Sequence, residues 1–108
     1  MENANQNLRL DGREFAKLIC AEFGTDNIVE IAEKAGVKIV YEKWFPMTIG
    51  EFDRKNNTIN VNLNAREKVE KIIAHELGHF FAQDLNLSRA EEEKFCADFA
   101  KVLLENQF

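Results

Sequence analysis

His75, Glu76 and His79 stand as H-E-x-x-H inside the run Lys71-Ile-Ile-Ala-His-Glu-Leu-Gly-His-Phe-Phe81. Apolar residues recur three and four apart around them, at Val69, Ile72, Ile73, Leu77, Phe80 and Phe81, which predicts an amphipathic helix. On a helix, positions i and i+4 share one face a turn apart, so both imidazoles can address one metal ion. Glu76 lies about 100° round from His75 and borders that ion without having to bind it. Two neutral nitrogen donors beside a carboxylate that can take a proton from water are the parts of zinc-assisted hydrolysis. Zinc is therefore the expected cofactor, with His75 and His79 as ligands and Glu76 as the catalytic base. The bland alternative is a pair of structural histidines. These are the only two histidines in the chain, and imidazoles on the buried side of a helix are costly unless something satisfies them.

Two histidines leave a hydrolytic zinc site one protein ligand short. The last predicted helix begins with three carboxylates, Glu91, Glu92 and Glu93. Such a run also serves as a solvated first turn that complements the helix dipole. Two arguments divide the candidates. His79 and Glu93 lie about seven residues either side of the break between the helices, and equal offsets place residues level in an antiparallel helical hairpin. Periodicity instead sets Glu92 about 20° from Phe99, within the stripe Phe95, Cys96, Phe99 and Leu103, and puts Glu93 about 120° round, beside Ala97, Ala100 and Leu104.

The elements that must hold these side chains follow from periodicity and turn chemistry. Residues 1–10 read as a polar, mobile lead-in, and 11–108 as one domain. A helix is predicted from Gly12 to Phe23, with Phe15, Leu18, Ile19 and Phe23 as its stripe and Gly24 as its stop. A second starts near Asp26-Asn27, with an Asn27–Glu30 capping box, and stops at Gly36. Val37–Tyr41 alternates as a strand. Trp44, Phe45, Pro46 and Met47 then fall in a loop, where core packing is favoured over a binding surface. Ile49–Asp53 and Thr58–Leu63 form a hairpin across Arg54–Asn57, with Ile59, Val61 and Leu63 inward and Thr58, Asn60 and Asn62 outward. The His helix runs from Asn64 or Ala65 to about Gln83 or Asp84. A Ser88–Glu91 capping box launches the last helix, which reaches about Glu105. The fold class is α+β: two N-terminal helices, a small, mostly antiparallel three-stranded sheet, the H-E-x-x-H helix and a C-terminal ligand helix.

Composition narrows the function. The chain has 108 residues and a formal charge of −5, with no basic cluster to serve direct nucleic-acid binding. Its apolar runs are too short for a membrane span, and the N-terminal stretch lacks an apolar secretion segment. Cys20 and Cys96 form neither C-x-x-C nor a disulfide framework, and both read as small core residues rather than ligands or nucleophiles. A cytoplasmic location is expected. Nothing in the pattern sets an oligomeric state.

The run T-I-N-V-N, then I-I-A-H-E-L-G-H, then E-x-x-C-x-x-F-A-x-x-L-L resembles the ImmA/IrrE family of zinc metallopeptidases, within the gluzincins, over roughly residues 26–104. The F-A-x-x-L-L half is the more particular to that family. The resemblance implies a minimal zincin-like domain whose third zinc ligand is Glu93. On that register Glu93→Ala weakens zinc binding severely and Glu92→Ala changes it little. It further implies a metalloendopeptidase that cuts a protein partner, such as a helix-turn-helix repressor, in transcriptional regulation. The alternative is a catalytically silent or latent metal-binding domain acting as a protein-interaction module. Ala97 stands where the family carries Asn or Asp, so a partner for one ligand histidine is expected to be missing. Either Thr58–Leu63 or its hairpin mate is expected to align an extended peptide by edge pairing.

Overall fold

The computed structural model describes residues 11–45 and 47–105; the lead-in, Pro46 and residues 106–108 lie outside them. Asp11 opens helix α1 (Gly12–Phe23) by accepting from the Glu14 backbone N–H at 2.8 Å, and Gly24 closes it at φ +70°. Helix α2 (Ile28–Ala35) is capped by Asn27, whose Oδ1 accepts from the Glu30 N–H at 3.0 Å. The expected box is only half formed, because the Glu30 carboxylate takes the Thr25 hydroxyl at 2.6 Å. That hydroxyl in turn accepts from the Asn27 backbone N–H.

Three strands follow: β1 (Lys38–Glu42), β2 (Gly50–Asp53) and β3 (Thr58–Asn62). Their order is β1-β3-β2, with β2 antiparallel to β3 and β1 parallel to it. The sheet is therefore mixed rather than mostly antiparallel. The loop 43–49 carries the chain past the place beside β1, so the β2–β3 hairpin docks with β3 inside and β2 at the edge. Alternation along a strand marks its buried face but carries no information about the direction of its neighbour.

The two ends of β3 correct a second expectation. Ile59 and Val61 are fully buried as expected, but Thr58 and Asn62, both expected outward, are buried too, while Leu63 is exposed. Asn62 faces the loop, where Oδ1 accepts from the backbone N–H groups of Trp44 and Asn64, each at 2.9 Å. Its Nδ2 donates to the carbonyls of Phe45 and Thr48. With its backbone pinned this way, the loop holds Phe45 and Met47 outward, 84% and 92% exposed, so core packing does not describe them. The same hub explains why helix α3 (Val69–Ala82) begins later than periodicity suggested. Asn62 ties Asn64 into a turn, and Lys68 is still extended at the N-cap.

Ser88 and Glu91 form the full reciprocal box, with bonds of 2.8 and 3.1 Å, and launch α4 (Arg89–Glu105). Phe15 of α1 meets Phe81 of α3 and Phe95 of α4, with ring centroids 5.9 and 5.4 Å apart, so three helices share one aromatic contact. Gly78 lets α3 and α4 approach: a Cβ there would stand 3.0 Å from the Cys96 Cα and 3.1 Å from its Sγ. Gly50 does the same for β2, since its Cβ would meet Ile72 Cγ2 at 2.5 Å. Among the described residues no helix is long and apolar enough to cross a membrane.

Candidate metal centre

Helix α3 sets His75 and His79 one turn apart, with ring centroids 5.2 Å from each other. Across the helical hairpin, α4 brings two neighbouring carboxylates to them in different ways. His75 Nε2 lies 3.4 Å from Glu93 Oε1, and His79 Nε2 lies 3.3 Å from Glu93 Oε2. Tetrahedral zinc with bonds near 2.0–2.1 Å spaces its nitrogen and oxygen donors about 3.3–3.4 Å apart. Each of these two nitrogen–oxygen separations matches that spacing, one to each oxygen of Glu93, and two imidazoles with a carboxylate are a donor set that fits zinc.

Glu92 meets the other side of His79. Its Oε2 is 2.6 Å from Nδ1, and both side chains are well sheltered, at 16% and 18% exposure. A carboxylate on Nδ1 favours the tautomer that carries the proton there and leaves the Nε2 lone pair facing Glu93. Arg54, from the β2–β3 turn, reaches the same oxygen at 3.4 Å. The apolar stripe and the motif register therefore both describe the helix. Glu92 does turn inward, onto Nδ1, while the more exposed Glu93 faces both Nε2 atoms from the edge of the stripe.

Glu76 sits between the two histidines in sequence and lines a cleft of about 530 Å³ with His75, His79, Glu92 and Glu93. Burial pushes its carboxyl above the ordinary range, and the charges of Glu93 and Glu51 push the same way against His79. His75 is held below the ordinary imidazole range by burial and then by His79, with Glu93 opposing. It is thus kept as the neutral donor that a metal requires.

Cys96 is fully buried, as its place in the stripe suggests, yet it is more than filler. Its Sγ and one ring nitrogen from each of His75 and His79 lie within 4.8 Å of one another. Burial raises the thiol's pKa strongly, and Glu92, Glu93 and Glu76 add to this, so the free group is a neutral thiol. Cys20 stays partly exposed and apart from this group.

Beside His75 a second groove of about 660 Å³ runs between the first half of α3 and the second half of α4, floored by Ala97, Ala100 and Leu104. Ala97 offers no polar atom to the ring of His75, in contrast to Glu92 at His79. Reasoning from the sequence missed Arg54, because no periodicity connects a hairpin turn to a helix that starts 35 residues later. It also missed what Glu92 and Cys96 could touch, although the stripe placed both inward. No family model, no curated protein and no solved structure matches the chain.

Proposed function

We propose that the chain is a zinc-dependent metalloendopeptidase of the minimal zincin-like, gluzincin kind, acting on a protein partner such as a helix-turn-helix regulator. The observation that carries this reading is the spacing of His75 Nε2, His79 Nε2 and the Glu93 carboxylate at 3.3 and 3.4 Å, with Glu76 on the wall of the same cleft. Zinc held by those three residues would supply a Lewis acid that polarises a peptide carbonyl and acidifies a water.

The protein's own groups do the rest. Glu76 accepts a proton at its carboxylate and passes it to the leaving amine, and its raised pKa makes it a better base near neutrality than an exposed glutamate. Glu92 fixes the ring of His79, and Arg54 stands 3.4 Å from the same Glu92 oxygen as a long, largely exposed contact. Strand β2 lies at the sheet edge, and its Gly50, Glu51 and Phe52 line the cleft. The T-shaped contact of Phe52 with Phe80, at 5.8 Å, ties that strand to the histidine helix. An extended peptide added to the outer edge of β2 would cross the histidines, which favours β2 over β3 as the aligning strand. The choice of a helix-turn-helix regulator rests on the family resemblance alone.

The runner-up is a silent metal domain that binds its partner through exposed apolar side chains. Phe45 and Met47 on the loop pinned by Asn62 favour it. The test is a digest of a denatured-protein peptide library by the zinc-loaded chain and by Glu76→Gln. The peptidase reading expects one zinc per chain in both and cleavage by the wild type only. Equal zinc content with no cleavage by either would leave the binding module. Absence of zinc from the wild type would remove the premise of both.

A further inference from the structure

The two histidines serve two donor sets. On the open side stands Glu93, whose oxygens are already within 3.3 and 3.4 Å of the Nε2 atoms. On the buried side stands Cys96, one turn further along α4, with its Sγ in the 4.8 Å group formed with His75 and His79. The sulfur is packed against Gly78, between the two histidines in sequence, where no side chain intervenes. Glu92 and the Cys20 thiol cannot take its place: Glu92 is committed to Nδ1 of His79, and Cys20 lies outside the group.

Resting on the metal reading above, we propose that Cys96 is an alternative ligand of the same centre, selecting thiophilic d10 cations such as cadmium, mercury or univalent copper. Zinc is served by nitrogen and carboxylate donors at the spacing already present. A sulfur donor to zinc would sit about 3.5 Å from each nitrogen, so drawing the group together from 4.8 Å requires a closing movement of at most about 1.3 Å. A soft cation gains most from thiolate and has the stronger reason to drive that movement. On binding, the S–H bond of Cys96 breaks, its proton goes to solvent, and a sulfur–metal bond forms. If Glu93 also stayed bound, the four protein donors would equal a tetrahedral complement and leave no open position. A thiophilic cation would thus convert an open centre into a closed one.

Cadmium titration of the full chain, followed by ultraviolet thiolate-to-metal charge transfer and by proton release, tests this. The wild type and Cys20→Ser should show the charge-transfer band up to one equivalent, with a proton released that Cys96→Ala does not release. Cys96→Ala should lack the band and bind cadmium about tenfold more weakly, with zinc affinity nearly unchanged. If Cys96→Ala fails to fold, His75→Ala with His79→Ala supplies the check, since the band should need the histidines. Zinc binding without a cadmium band in the wild type overturns this proposal and leaves the zinc site standing. A band that survives Cys96→Ala overturns it too. Failure of both metals to bind overturns it together with the zinc reading.

Discussion

Removing Glu92 separates a ligand from the group that aims a ligand. The 2.6 Å contact between Glu92 Oε2 and His79 Nδ1 argues against the expectation that Glu92→Ala changes zinc binding little. Glu92→Ala leaves Nδ1 without its acceptor in a sheltered place and frees the ring to turn about its own axis, so Nε2 no longer points steadily toward Glu93. Loss of such an outer partner lowers metal affinity about 10–100-fold, or about 1.4–2.7 kcal/mol. The Arg54 contact adds little, because it is long at 3.4 Å and Arg54 is largely exposed. Glu92→Gln keeps an oxygen that can accept from Nδ1 and should fall less. Glu93→Ala removes a donor outright and should fall furthest. Zinc affinity by chelator competition, at one pH and salt concentration, orders the three variants. Nitrogen NMR of His79 reports whether the proton stays on Nδ1. A Glu92→Ala affinity within about twofold of wild type would refute the positioning role. A larger loss for Glu92→Ala than for Glu93→Ala would invert the assignment of ligand and orienter.

Two further substitutions test the supports of the site. Gly78→Ala should gain about 1 kcal/mol of helix propensity and lose about 1–3 kcal/mol to overpacking against the Cys96 backbone and sulfur at 3.0–3.2 Å. The net in urea unfolding should be neutral to destabilising, with weaker zinc binding because α4 is pushed outward with Glu93; a clear gain in stability with unchanged zinc affinity would contradict the close approach. Asn62→Ala should cost about 2–4 kcal/mol, from four hydrogen bonds of about 1 kcal/mol each with some recovered by water. Asn62→Asp should fare no better, since a carboxylate would face the Phe45 and Thr48 carbonyls, and a cost below about 0.5 kcal/mol in urea unfolding would show that the loop does not depend on this hub.

Local signals in the sequence carried much of this protein. H-E-x-x-H in a helical stripe is enough to put His75 and His79 on one face, because a helix couples residues four apart whatever surrounds it. The Ser88–Glu91 box, the Gly24 and Gly36 stops and the Arg54–Asn57 turn are likewise bonds and dihedrals made within a few residues. Tertiary structure decided what each face meets. Periodicity gives the angle of Glu92 and Glu93 around their helix, but not that one would find Nδ1 and the other Nε2 of the same ring. That depends on how far α4 slides along α3, which Gly78 and the aromatic contacts set. The same holds for the sheet, where the strand inserted beside β1 determines parallel or antiparallel pairing, and for Asn62. Alternation points it outward, but a loop 14–18 residues earlier in the chain covers it and makes the position a buried one.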